Sequence, residues 1–105
     1  MTHTDERGRV EKRVGPILRG IDRELCDAVI DAIEIDNPDT DLQVDDQGAY
    51  IRISAPWYCR LTRESLEDAL GRPFRLSDIE PNLASFAGRI DFGDDEIVWQ
   101  LDREA

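Results

Sequence analysis

The chain has 105 residues, 40% of them hydrophobic and 35% charged, with 24 acids against 13 bases and a formal net charge of −11. That length fits one domain with a single core and leaves little interior for an enclosed substrate pocket, and the acidic balance repels nucleic acid phosphates and anionic lipid headgroups. No apolar run approaches the roughly 20 residues needed to cross a bilayer and the polar start lacks the apolar core of a secretion signal, so a cytoplasmic protein that meets basic protein surfaces, with no membrane and no nucleic acid partner, is the expectation.

Residues 1–13 mix both charge signs without an apolar period and read as a mobile tail, leaving 14–102 for the folded domain. Val14 to Leu18 is a short apolar stretch interrupted by Gly15-Pro16, which suits an edge strand because proline removes one ladder donor. Asp22 to Asp36 is the clearest helix. Leu25, Ala28, Val29, Ala32 and Ile33 fall on one side, Glu24, Asp27, Asp31 and Glu34 on the other, Asp22 can cap the start, and Asn37-Pro38 stops it. Leu42 and Val44, a turn at Asp45 to Gly48, and Ala49, Ile51 and Ile53 alternating with Tyr50, Arg52 and Ser54 make a hairpin. After Pro56, Trp57, Cys59 and Leu61 alternate with Tyr58 and Arg60 as a third strand.

Thr62 then caps a short helix that carries Leu66, Ala69 and Leu70 and closes at Gly71. Ser77 to Glu80 has the capping-box pattern, which predicts one or two helical turns before Asn82. Ile90 and Phe92, a turn at Gly93 to Asp95, and Ile97, Trp99 and Leu101 form a second hairpin. The order β-α-β-β-β-α-β-β, with no internal repeat, predicts an α+β domain of two helices and mostly antiparallel sheets.

Several chemistries are excluded. Cys26 and Cys59 are far apart and the only histidine is His3, a poor inventory for zinc, an iron–sulfur cluster or an imidazole-activated nucleophile, so no cofactor and no metal is expected. Both cysteines read as small core hydrophobes. Asp36 to Asp46 lacks the glycine and terminal glutamate of a calcium loop. Glu64-Ser65-Leu66 resembles the prosthetic-group site of acyl carrier proteins, which are all helical, whereas this chain has strands around it. No glycine spacing fits a nucleotide loop. Carboxylates abound without a cleft to enclose them.

Charge is unevenly spread: residues 22–46 hold ten acids against Arg23, a local charge of −9, while residues 52–75 hold five arginines and three acids. The acidic helix stripe is either a solvated face or a surface that steers the chain onto a basic partner. Trp99 alternates with Ile97 and Leu101 and belongs to the core; Tyr50 and Tyr58 occupy outward strand phases, where an amphipathic ring can serve an interface. Phe86 fits either a core anchor or an exposed contact. A stand-alone acidic adaptor or inhibitor domain that uses the 22–46 face is one functional reading; a small acidic electron carrier is opposed by the two-cysteine count.

Three ordered blocks carry a different reading. Val14 to Arg19, Gly71-Arg72-Pro73-Phe74, and Asn82 to Ile90 together resemble the small effector, or coupling, proteins of soluble diiron monooxygenases, over about Val14 to Leu101. The resemblance implies a non-catalytic α+β protein, a monomer when free, that docks on a diiron hydroxylase and tunes active-site geometry, access of substrate and oxygen, and coupling of electron transfer to hydroxylation or epoxidation. It further implies that a turn after the second helix meets the hydroxylase through Asn82, Ala84, Ser85 and Phe86, with Gly88 and Arg89 in the same block and Gly71, Arg72 and Phe74 shaping the loop that supports it. Tyr50 and Arg72 join the expected partner-binding set. Pro81, the Ser54 to Tyr58 stretch and the short tail depart from other members and favour the group acting on alkenes or aromatics over the methane group.

Overall fold

The computed structural model describes residues 12–101. Helix α1 (Arg23–Asp36) forms where the apolar spacing predicts it, because its buried side chains Leu25, Cys26, Ala28, Val29, Ala32 and Ile33 share one stripe. Asp22 caps it, the carboxylate accepting from the Leu25 N–H at 3.1 Å. Its end is sealed by Asn37, a buried amide whose Nδ2 donates to the carbonyls of Ile33 and Arg60, each at 2.7 Å, and whose Oδ1 accepts from the Arg60 N–H at 2.9 Å. Asp36 accepts from the Thr62 N–H at 2.7 Å and from Ser65 Oγ at 2.6 Å, tying the end of α1 to the start of α2 (Arg63–Leu70). Thr62 and Gly71 cap α2 as expected: Thr62 Oγ1 accepts from the Ser65 N–H, and Gly71 takes the left-handed conformation at φ 75°.

Among the described residues seven strands form two antiparallel sheets. β1 (Arg13–Arg19), β2 (Gln43–Asp46), β3 (Tyr50–Pro56) and β5 (Leu83–Ala87) lie in the order β2-β3-β1-β5; β4 (Tyr58–Thr62), β6 (Arg89–Phe92) and β7 (Glu96–Gln100) lie in the order β4-β7-β6. Val14 and Leu18 of β1, Ile51 and Ile53 of β3, Cys59 and Leu61 of β4, Ile97 and Trp99 of β7, and the apolar stripe of α1 meet in one core. Both thiols are buried and free, and burial pushes Cys59 up to about 12.

Four features differ from the sequence expectation. β1 is an interior strand between β3 and β5, not an edge. Pro16 is tolerated because ladder pairing to β3 lapses at Gly15 and Pro16 and resumes at Ile17, and because Gly15, at φ 144°, lets the backbones close up: a Cβ there would stand 2.1 Å from the Ile53 carbonyl oxygen. Arg13, expected in the tail, opens β1 and is anchored by Nε to Ser54 Oγ at 3.0 Å and by its guanidinium to the Ser54 carbonyl at 2.9 Å. Lys12, also expected in the tail, accepts from the Trp57 N–H at 3.0 Å through its carbonyl, and the remainder of the expected tail, 1–11, lies outside the described residues. Trp57, expected inside the third strand, sits between β3 and β4 at φ 66°, where the chain leaves one sheet for the other.

The largest difference lies after α2. The helical turns expected before Asn82 form as a 3₁₀ helix (Leu76–Asn82), without the side-chain cap of the capping-box pattern, and its three-residue period buries Leu76 and Ile79 while Asn82 stays half-buried. The chain then enters β5 directly, so the stretch expected as an exposed turn is mostly a strand paired with β1. Its mixture of Asn, Ala, Ser and Gly hides that strand from any periodicity argument.

Candidate functional site

The outer face of the four-stranded sheet collects the side chains that alternation keeps out of the core. Asp45 of β2 faces Arg52 of β3, Arg52 faces Ile17 of β1, and Ile17 faces Ser85 of β5. Opposed residues share a face, so these four make one row across the sheet, about 14 Å long at ~4.8 Å per strand. In the neighbouring row Gln43 faces Ser54 and Gly15 faces Ala87. A groove of about 510 Å³ opens beside this row between Arg13, Ile17, Arg52, Phe86 and Ala87. A depression of about 280 Å³ continues it past Arg52 to Gln47 and Tyr50. Tyr50, opposite Arg19 at the far end, is 49% exposed.

β5 borders this face and carries a bulge: Ile17 faces Ser85 while Leu18 faces Leu83, leaving Ala84 with no opposite residue. Ser85 is exposed on the outer face. Phe86 faces Pro16, on the phase of the core residues Val14 and Leu18, yet the sheet edge leaves it 39% exposed beside the groove. Asn82 stands at the end of the 3₁₀ helix that delivers the strand. The fold thus gathers Tyr50, Ser85 and Phe86 around one face, with Asn82 and Ala84 at its β5 border.

The other expected site residues lie apart. Gly88, at φ 95°, carries the chain from β5 to β6; a Cβ there would meet Val14 Cγ1 at 2.7 Å and the Gln100 carbonyl at 3.1 Å, so its glycine serves the fold directly. Arg89 opens β6 and faces Gln100 on the second sheet. Arg72 follows α2, lies 5.9 Å over the Phe74 ring and 3.6 Å from Glu24, and so links the end of α2 to the start of α1.

Polar chemistry on the outer face is sparse. Among the described residues the Arg52 guanidinium has no hydrogen bond or ion pair; the Asp45 carboxylate opposite it accepts instead from Gln47 Nε2 at 2.6 Å. Around the corner, Glu24, Asp27, Asp31 and Glu34 stand exposed along α1. Arg23 reaches Asp46 at 2.8 Å, and that hydrogen bond holds the Asp46 carboxyl below, and Arg23 above, their ordinary values. Among the described residues no three His, Cys, Asp or Glu side chains converge as metal ligands, and no helix is long and apolar enough to cross a membrane.

Residues 12–100, from the entry of β1 to the last residue of β7, match the sequence pattern of the MmoB/DmpM family. The chain belongs to the MmoB/DmpM family. It is 48% identical over 89 residues to the effector subunit of the alkene monooxygenase system of Xanthobacter autotrophicus, an alignment covering 85% of this chain and 86% of that one. Among solved structures, a chain of a phenol hydroxylase–regulatory protein complex superposes with a TM-score of 0.72 at 30% identity, over 87% of this chain and 100% of that chain. The regulatory protein B of soluble methane monooxygenase shares the fold, with a TM-score of 0.61 at 19% identity, over 93% of this chain and 73% of that one. The resemblance carried by the three sequence blocks is borne out, and so is the α+β class.

Sequence reasoning missed Arg52 and Ile17 as members of the face. Alternation already put Arg52 on the outward phase with Tyr50, but its neighbours across β1 and β5 are set by register, which no local pattern encodes.

Proposed function

We propose that this chain is the non-catalytic effector subunit of a multicomponent soluble monooxygenase acting on alkenes or aromatics in the cytoplasm, and that it docks on the diiron hydroxylase component through the outer face of its four-stranded sheet and the Asn82 to Phe86 border. The observation that carries the proposal is the 48% identity to an alkene monooxygenase effector subunit along nearly the full length of both chains. The physical reading supports it. The face is rimmed by two exposed aromatics, Tyr50 and Phe86, and holds an arginine, the residue types that dominate protein contacts.

A patch of about 800 Å² per partner is enough for a specific complex. Once docked, the subunit favours the hydroxylase conformation that fits it, and a coupling of about 1–3 kcal/mol suffices to gate substrate access or electron use. The exposed acidic stripe on α1 lies outside this face and serves approach, by steering the chain toward a basic surface.

The test is a titration of purified hydroxylase and its reductase with this chain, following product formed and reduced cofactor consumed. Stimulation that saturates, with a higher ratio of product to reducing equivalents, is the expected result. Unchanged rate and coupling at every concentration would refute the proposal.

A further inference from the structure

The sheet face holds a charge that its own fold does not use. Arg52 stands in the middle of the row Asp45, Arg52, Ile17, Ser85, and it borders both the groove over Gly15 and the depression beside Tyr50. Several other arginines are engaged: Arg13 with Ser54, Arg23 with Asp46, Arg60 with Glu96 at 2.6 Å, Arg63 with Asp95 at 3.2 Å, while Arg19 and Arg75 stand exposed like Arg52 but outside the groove. Arg52 has no such partner among the described residues, although an aspartate sits directly across the strand pair. Beside it, half-buried Ile17 lines the same groove, a notch it shares with Gly15, Phe86 and Ala87.

We propose that Arg52 is the orienting contact of this face, receiving a carboxylate of the hydroxylase polypeptide while an apolar side chain of the same segment enters the notch against Ile17. The inference rests on the effector reading and adds its recognition chemistry. Charge complementarity selects the occupant. A chain of net charge −11 attracts a partner that is basic overall, so attraction at long range says little about how the two surfaces turn once they meet. A cation presented from a strand at a set place on the sheet supplies that information, because only the orientation that brings a carboxylate onto Arg52 satisfies both groups, and a planar guanidinium can hold it through two parallel hydrogen bonds. The neighbouring apolar surface excludes water from the pair as the complex closes, the setting in which an arginine becomes a dominant contact.

The experiment measures the affinity of the full chain for the purified hydroxylase, the effector concentration giving half-maximal stimulation, and the thermal melt of the free chain. Arg52→Gln is expected to weaken binding roughly 30-fold or more and to raise the half-stimulation point in step. Its melt and its maximal rate at saturation should match the wild type. Arg52→Lys, which keeps the charge and loses the fork, should fall between the two, and Arg75→Gln, removing one exposed charge elsewhere, should bind as wild type.

If Arg52→Gln binds and stimulates as the wild type does, the inference is overturned and the effector reading stands. If the wild type itself neither binds nor stimulates, the effector reading fails and takes the inference with it. A melt lowered together with binding would make Arg52 a structural partner of Asp45, and a wild-type dimer that Arg52→Gln dissolves would assign the face to a second copy of this chain; either result overturns the proposal.

Discussion

Two polar regions of this molecule are built in opposite ways. At the junction of α1, β4 and α2, Asp36, Asn37, Thr62 and Ser65 satisfy one another and the adjoining backbone, so that a helix end, a strand and a helix start become one unit. On the outer face of the four-stranded sheet, Arg52 lacks a partner among the described residues and Tyr50 stands exposed. Buried polar groups cost free energy unless they are paired, whereas an exposed guanidinium is hydrated at little cost. The junction is therefore where changes should be felt in stability, and the sheet face where they should be felt in association.

The sharpest break of that comparison is on the sheet itself. Gly15→Ala would drive a Cβ into the Ile53 carbonyl at 2.1 Å, at a φ of 144° that side chains avoid, so it should cost more than about 3 kcal/mol and abolish the cooperative melt. A wild-type melt for Gly15→Ala would mean that the β1–β3 contact is looser than described. At the junction, Asn37→Ala strands the Arg60 N–H and carbonyl, while the Ile33 carbonyl keeps the backbone N–H of residue 37, and should cost on the order of 2–4 kcal/mol in chemical denaturation. Stimulation of hydroxylase at saturation should persist wherever the variant remains folded.

Alkaline pH probes the core between the two regions. The folded Cys59 thiol lies at about 12 and an unfolded one near 8.5, so its contribution is complete below ~8.5 and is lost as pH rises toward the folded value, at about 1.4 kcal/mol per pH unit where steepest. Denaturation of Cys59→Ala should show a shallower alkaline decline than the wild type; parallel curves would remove Cys59 as the cause.

Smaller effects on the fold are expected at the face and on the stripe. Ser85→Trp changes an exposed position and should shift stability by no more than about 0.5 kcal/mol, yet raise the half-stimulation concentration or change the product ratio. If it instead destabilises as Asn37→Ala does, the contrast between regions collapses. Asp27→Asn with Asp31→Asn should leave the melt and the dissociation rate unchanged while lowering the association rate a few-fold at low salt, an effect that fades as ionic strength rises. An association rate indifferent to both charge and salt would make the α1 stripe a solvated face and nothing more.

Much of this was already written in local sequence. The stripe of α1 from Leu25 to Ile33, the caps at Asp22, Thr62 and Gly71, the hairpin around Gly93 to Asp95 and the buried phase of Trp99 depend on residues within a few positions of one another, where propensity, capping and alternation act. Family membership was legible too, because the three blocks keep their order along the chain. Tertiary structure alone decided that β1 is interior, that residues 83–87 pair with it, and that Ser85, Ile17, Arg52 and Asp45 stand in one row. Those facts rest on pairings between segments tens of residues apart, and a slip of one residue would turn every side chain of the row to the opposite face. The choice among registers is made by which alignment buries Val14, Leu18, Ile51 and Ile53 together, a property of the assembled core that no single segment contains.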